Sequence, residues 1–293
     1  MRPDGMRALP IPVRDAGALK LLQGLFNLPD DAEGRHNFRL IAAWLVAALY
    51  PTGPYAVLAV DGEQGSGKSS ACKMLRRLVD PNAADLRAKP RSEDDLLIAA
   101  MNGRVVALDN VSHIEADMAD ALCRLATGAG FGKRILYSDL GETIVAVSRP
   151  ILLNGIPSLL ARADLADRSI AVTLQHIPDD KRRPESEVWS NFDACAPAIF
   201  ALLLDALVVA LGRLPKLQLS PGCREWRTLP GWPVRRLLPS GGARTTCWPR
   251  WMPTARRRLK RSWGPTRLPK RSDRLPNEAS RNGKARLPTY LRR

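Results

Sequence analysis

Val57–Ser70 reads VLAVDGEQGSGKSS: an apolar run, an aspartate, a glycine-rich turn, then Lys68, Ser69 and Ser70. With Tyr55 and Ala56 in front, the apolar run predicts a strand over 55–61 that is buried on both faces of a parallel sheet. Gly62 to Ser69 fits the spacing G-x-x-x-x-G-K-[ST], and each part has a physical task. Gly62, Gly65 and Gly67 let the backbone fold back so that successive N–H groups, with those of Ser66 and Ser70, form a cradle for a β-phosphate. Lys68 neutralises β/γ oxygens, and the Ser69 hydroxyl is placed to ligate Mg²⁺. A helix over Lys68–Val79 adds the positive end of its dipole. The bland alternative is a chance glycine loop; the order strand, loop, helix argues against it.

A second strand is expected at Arg104–Asn110, RVVALDN. Asp109, at the end of its apolar run, is placed to hold the Mg²⁺ hydration shell opposite Ser69. A carboxylate that merely caps the next loop is the competing reading. Many ATPases of this kind carry a glutamate after that aspartate as the base that orients water. This chain has Asn110, whose amide can position a water but cannot take its proton. Turnover is then slow, or Glu115 or another acid substitutes.

The remaining elements follow from periodicity and caps. HNFRLIAAWLVAALY (36–50) is a helix stopped by Pro51 and Gly53, and AGALKLLQGLFNL allows a short helix before it. Ser92 followed by three acids predicts an N-cap for EDDLLIAAM. EADMADALCRLAT is a helix, and RILYSDLGETIVAVS reads as a β-hairpin with strands near 134–138 and 143–148. PILLN (150–154) and RSIAVTL (168–174) are further core strands, and the stretch from Pro184 to Leu214 is mostly helical despite Pro197. Strands alternating with helices define an α/β fold: a P-loop NTPase with a mainly parallel central sheet, helices on both faces and an inserted β-hairpin.

The segments DNVS, LCRLATG, RPILLNGI and DLADR resemble uncharacterised ATP-binding proteins of bacterial phages and integrated elements. Through them the chain is similar to the AAA+ superfamily III helicase domain of poxvirus- and phage-type primase–helicases. The resemblance spans about residues 10–216. It implies that Asn154, closing PILLN, senses the γ-phosphate, and that Arg168 is an arginine finger for a neighbouring subunit's nucleotide. It also implies a hairpin, carrying Lys133 and Arg134, that lines a central pore and touches DNA, and hence a homo-oligomeric ring such as a hexamer. Plainer readings stand beside these. Asn154 also suits a turn before Gly155, Arg168 could pair with Asp164 or Asp167, and Lys133 and Arg134 could simply be solvated.

The net charge of +16 invites a nucleic-acid reading until it is located. Residues 217–293 hold 20 of the 45 basic residues and three of the 29 acidic ones, so residues 1–216 are nearly neutral. The tail also carries five of the seven tryptophans amid Arg, Pro and Gly, with no surviving period. A basic arm that binds phosphates without sequence preference is one reading. A shifted reading frame in GC-rich DNA is the other, and the scattered tryptophans favour it. The expected organisation is a helical lead-in (1–54), a P-loop ATPase core (55–182), a helical segment (183–216) and an irregular tail (217–293).

The five cysteines and three histidines show no ligand spacing, so a metal held by protein ligands alone is not expected. No apolar run is expected to span a membrane, and the start lacks a signal-peptide core, which points to the cytoplasm. The function expected is an ATP- and Mg²⁺-dependent, helicase-like ATPase in the replication or maintenance of mobile-element or phage DNA. A nucleotide-dependent switch or scaffold with negligible turnover is the alternative, with Asn110 its best evidence. A small-molecule kinase is a third, thinner possibility.

Overall fold

The computed structural model describes residues 5–134, 142–155 and 162–213. Two helices lead in, α1 (Ala18–Gly24) and α2 (Ala32–Leu49). Then come β1 (Val57–Gly62), α3 (Lys68–Val79), α4 (Glu93–Met101), β2 (Val106–Val111) and α5 (Ala116–Thr127). A hairpin of β3 (Phe131–Arg134) and β4 (Glu142–Val145) precedes β5 (Ile151–Gly155). The short α6 (Ala163–Asp167), β6 (Ser169–Leu174) and the long α7 (Glu185–Arg213) follow.

Four strands form one parallel sheet in the order β2-β5-β1-β6. Beyond β2, the chain at Arg87 adds one further bridge: the Arg87 N–H donates to the Ala107 carbonyl at 2.9 Å, and Asp109 N–H donates to the Arg87 carbonyl at 2.8 Å. Because side chains alternate along a strand, β1 feeds two cores. Leu58 and Val60 pack with α1, α2, α3 and α7 on one face. Val57 and Ala59 pack with α4, α5 and α6 on the other. The α/β architecture with helices on both faces is therefore as the sequence indicates.

The anchor of the first core is Trp44 of α2, whose indole N–H donates to the Ala56 carbonyl at 2.9 Å. That bond satisfies the one polar atom of a side chain only 1% exposed. At the C-terminal end of α3, Arg76 and Asp80 form a buried pair at 3.4 Å. The Asp80 carboxylate also accepts the N–H groups of Arg104 and Val105, each at 2.9 Å, and Arg76 donates to the carbonyls of Ala84 and Asp85. This knot ties the end of α3 to the start of β2.

Several boundaries differ from those read in the sequence. Asp31 caps α2 by accepting the Gly34 N–H at 2.7 Å, so the helix opens before His36. The hairpin strands sit at 131–134 and 142–145 rather than near 134–138 and 143–148; residues 135–141 lie outside the described residues. The five-residue α6 has no side-chain cap, which left nothing for sequence reading to seize. Helix α7 runs unbroken through Pro197. It also corrects the expectation that no apolar stretch reaches span length, since by length and composition alone this helix could cross a membrane. In this fold its Phe192, Ile199, Phe200 and Leu203 are buried, three of them in the first core. The tail from 217 to 293 lies outside the described residues.

Candidate functional site

The loop between β1 and α3 has a backbone that few side chains permit. Gly62, Gly65 and Gly67 have φ of +151°, +81° and +77°. A Cβ on Gly62 would also stand 2.7 Å from the Leu174 carbonyl oxygen, so glycine is required there on two grounds. Gly67 is the N-cap of α3, and the first N–H groups of that helix have no partner within it. The Lys68 ammonium bends back onto the loop and donates to the carbonyls of Gly62 and Glu63, both at 2.7 Å. Ser66 is buried, and its hydroxyl has no hydrogen-bond partner among the described residues.

Three of the residues singled out in the sequence converge in front of this loop. Strand β5 lies between β1 and β2, which sets Asn154 between the start of α3 and the end of β2. The Ser69 hydroxyl donates to Asp109 Oδ1 at 3.2 Å. The Asn154 amide donates to Ser69 Oγ at 3.0 Å and to the same Asp109 oxygen. These bonds fix the amide orientation, because the reverse would set its oxygen against a carboxylate. Asn154 is only 3% exposed, and its Oδ1 has no partner among the described residues, a buried acceptor where the loop, β2 and β5 meet. Ser70 follows within the first turn of α3.

Asn110 has φ of +49°, the only non-glycine residue with positive φ among the described residues. It sits where the β2–β5 register shifts between Leu108 and Val111. The extra residue swings the chain so that Asp109 faces the site while Asn110 is exposed. Glu115, the substitute acid considered above, is tied to Lys89 at 2.7 Å. The lysine holds its carboxyl below the usual carboxylate range. Asp61 was not singled out in the sequence; burial pushes its carboxyl upward, opposed by a hydrogen bond from Thr173 and the charge of Lys68. Cys72, one turn into α3, is fully buried and its thiol is pushed up by that burial.

Arg168 is not part of this cluster. It precedes β6, its carbonyl accepts the Val57 N–H at 3.0 Å, and its guanidinium donates to the Asp164 main-chain oxygen at 2.9 Å. It therefore lies at the N-terminal ends of the strands, whereas the glycine loop lies at the C-terminal end of β1, about 15–20 Å away along the strand. Lys133 and Arg134 belong to β3 by their backbone, and their side chains lie outside the described residues.

A glycine loop joining the central strand of a parallel α/β sheet to a helix, faced by Asp109 and Asn154 from the two strands on one flank, defines a P-loop-type α/β domain. The chain belongs to the actinomycete integrative conjugative element replication protein family, whose model matches residues 21–213. No curated protein matches it in sequence. Among solved structures it is similar to an apo form of the NrS-1 C-terminal region, with 16% identity over 69% of this chain and 48% of that one, at a TM-score of 0.43. A second apo structure of that region gives 14% identity, coverage of 69% and 49%, and a TM-score of 0.44. JCV helicase gives 11% identity, coverage of 72% and 58%, and a TM-score of 0.36. The chain spans about half the length of the NrS-1 structures.

Proposed function

We propose that this replication protein uses residues 62–70 to bind ATP with Mg²⁺ and hydrolyses it slowly as a helicase-like domain acting on mobile-element DNA. The observation that carries the reading is the convergence of Ser69, Asp109 and Asn154 at the mouth of the glycine loop. A serine hydroxyl and a carboxylate are the hard oxygen donors that Mg²⁺ takes in small number. The unpartnered Oδ1 of Asn154 can accept from a bound water, and Lys68, held on loop carbonyls, can turn its ammonium to phosphate oxygens. Mg²⁺ supplies charge neutralisation across the phosphates when bound. The chain's own part is to position: Lys68 and the loop N–H groups on phosphate oxygens, Asn154 at the terminal phosphate, Asn110 orienting a water. Arg168, remote from its own loop, completes a neighbour's site in a ring.

A nucleotide switch with negligible turnover is the second reading. It is favoured by Asn110 and by the ion pair that removes Glu115 as a free base. Calorimetry with and without Mg²⁺, paired with a phosphate-release assay, separates the two. Mg²⁺-dependent binding with slow release of phosphate supports the ATPase; binding without release supports the switch; no binding refutes both. DNA binding is to be measured on the full chain and on a chain ending at Lys216. The 20 basic residues of the tail bind nucleic acid by counterion release, so steep salt dependence that vanishes on truncation belongs to the tail.

A further inference from the structure

The metal-side residues fix how a nucleotide would lie, and this inference rests on the nucleotide-binding reading above. Asp109 and Asn154 come from β2 and β5, both on one flank of β1. A polyphosphate whose far end meets them leaves the loop toward the other flank, where β6 is the neighbour of β1. There the chain leaving β6 does not turn away. Gln175–Arg182 crosses over the glycine loop as a strap.

Its contacts are specific. His176 Nδ1 lies 3.1 Å from the Gln64 carbonyl, and the Ile177 N–H donates to the Gly65 carbonyl at 3.3 Å. The strap is held from outside by Asn27, whose amide donates to the carbonyls of Gln175 and His176 and whose carbonyl accepts the Gln175 N–H. A 3₁₀ turn at Asp179–Lys181 then brings the chain back, and the Arg182 guanidinium stands over Gly65, where any Cβ would collide with it. Among the described residues Arg182 is ion-paired with Asp179 alone, at 2.9 Å, with the guanidinium half-exposed and the carboxylate largely in water. Such a pair contributes little, so the guanidinium is available to a stronger anion.

We infer that Arg182 is a second cation for the polyphosphate, acting within the same subunit at the α/β end, and that Asp179 competes with the phosphates for it. A guanidinium suits this task because it is always charged and can bond two phosphate oxygens at once. Unlike Lys68, it is carried by a strap tied to the lead-in through Asn27.

The experiment uses the full chain, with ATP and ADP titrated in the calorimeter and the melting midpoint measured without nucleotide. Arg182→Ala should weaken ATP and ADP alike by about tenfold, with Arg182→Lys recovering part and the midpoint unchanged. Asp179→Asn should tighten both, because the competing carboxylate is gone. Loss confined to ATP would overturn the α/β placement. Unchanged affinity in Arg182→Ala, or weakening in Asp179→Asn together with a lower midpoint, would make the pair a brace for the strap and overturn the inference. Wild-type protein that binds neither nucleotide overturns the nucleotide-binding reading itself, a result the variants cannot imitate.

Discussion

At its C-terminal end α3 buries Arg76 and Asp80 and meets them with partners from the same chain: each other, two carbonyls and two N–H groups. At its N-terminal end the same helix leaves Lys68 on two loop carbonyls, the Ser66 hydroxyl unpartnered and the Asn154 oxygen unmatched. Arg76 Nε and Asp80 Oδ1 also lack partners among the described residues, so the contrast lies in what each end holds: one ties α3 to the start of β2, the other ties Lys68 only to its own loop. Unsatisfied buried polar groups cost roughly 1–3 kcal/mol each, and at the N-terminal end they gather with Ser69 and Asp109 beside the glycine loop, which marks that end as a place for something else to bind.

The sharpest way to break this contrast is to mutate both ends. Lys68→Ala should abolish Mg²⁺-dependent ATP binding in calorimetry while leaving the melting midpoint nearly unchanged. Asp80→Ala should do the reverse: it strands a buried guanidinium and two N–H groups at a cost of about 3–5 kcal/mol, which lowers the midpoint by about 10 °C. If Lys68→Ala unfolds the protein and Asp80→Ala does not, the two ends have been misassigned.

Next comes Arg168, which lies far from its own loop and is proposed to complete a neighbour's site. Arg168→Ala should lower turnover by about 10³-fold with ATP affinity little changed. Mixing it with Lys68→Ala should restore part of the activity, because one mixed interface then has both groups. No recovery, with a monomer in light scattering at high concentration with ATP, would leave the site as a switch.

Asn110→Glu is a smaller test. A base at that position should raise phosphate release severalfold if a base is what the site lacks. The left-handed backbone there suits asparagine better than glutamate, so the gain should come with a loss of stability. An unchanged rate would mean that water is already oriented or that chemistry is not limiting.

The smallest effect concerns His36 of α2, a partly buried group away from both ends. Burial, with the nearby charge of Arg39, lowers its pKa to about 4. The folded state therefore favours the neutral ring. Its contribution is present above the ordinary histidine value of 6.5 and is lost as pH falls from there through about 4. His36→Gln should flatten the fall in chemical-denaturation stability over that window; an unaltered slope would show that other groups set it.

The loop, Asp109 and the central strand were legible because strand, turn and helix follow one another within a few residues, where local sequence dictates local geometry. Ser92 was legible for the same reason, and it accepts the Asp95 N–H at 3.1 Å. Asn27, His176 and Arg182 were not. Asn27 and His176 act through bonds to main-chain atoms more than a hundred positions away and Arg182 through its place over Gly65, and no spacing or periodicity signals such contacts. Asn110 could be seen as an exception to a pattern but not as a left-handed residue, since the register shift that creates it depends on β5. The convergence of Ser69, Asp109 and Asn154 depended on strand order, which local sequence does not encode.

Strand β6 begins immediately after Arg168 and runs directly into the strap, so six residues of hydrogen-bonded backbone separate the two. A strand paired along its whole length with a central neighbour is a stiff strut about 20 Å long. A partner subunit that tugs on Arg168 would therefore act on one end of that strut while Gln175 and His176 ride on the other. The same subunit's glycine loop would register the pull through bonds already in place, and grip on a neighbour and grip on a nucleotide would be two readings of a single displacement.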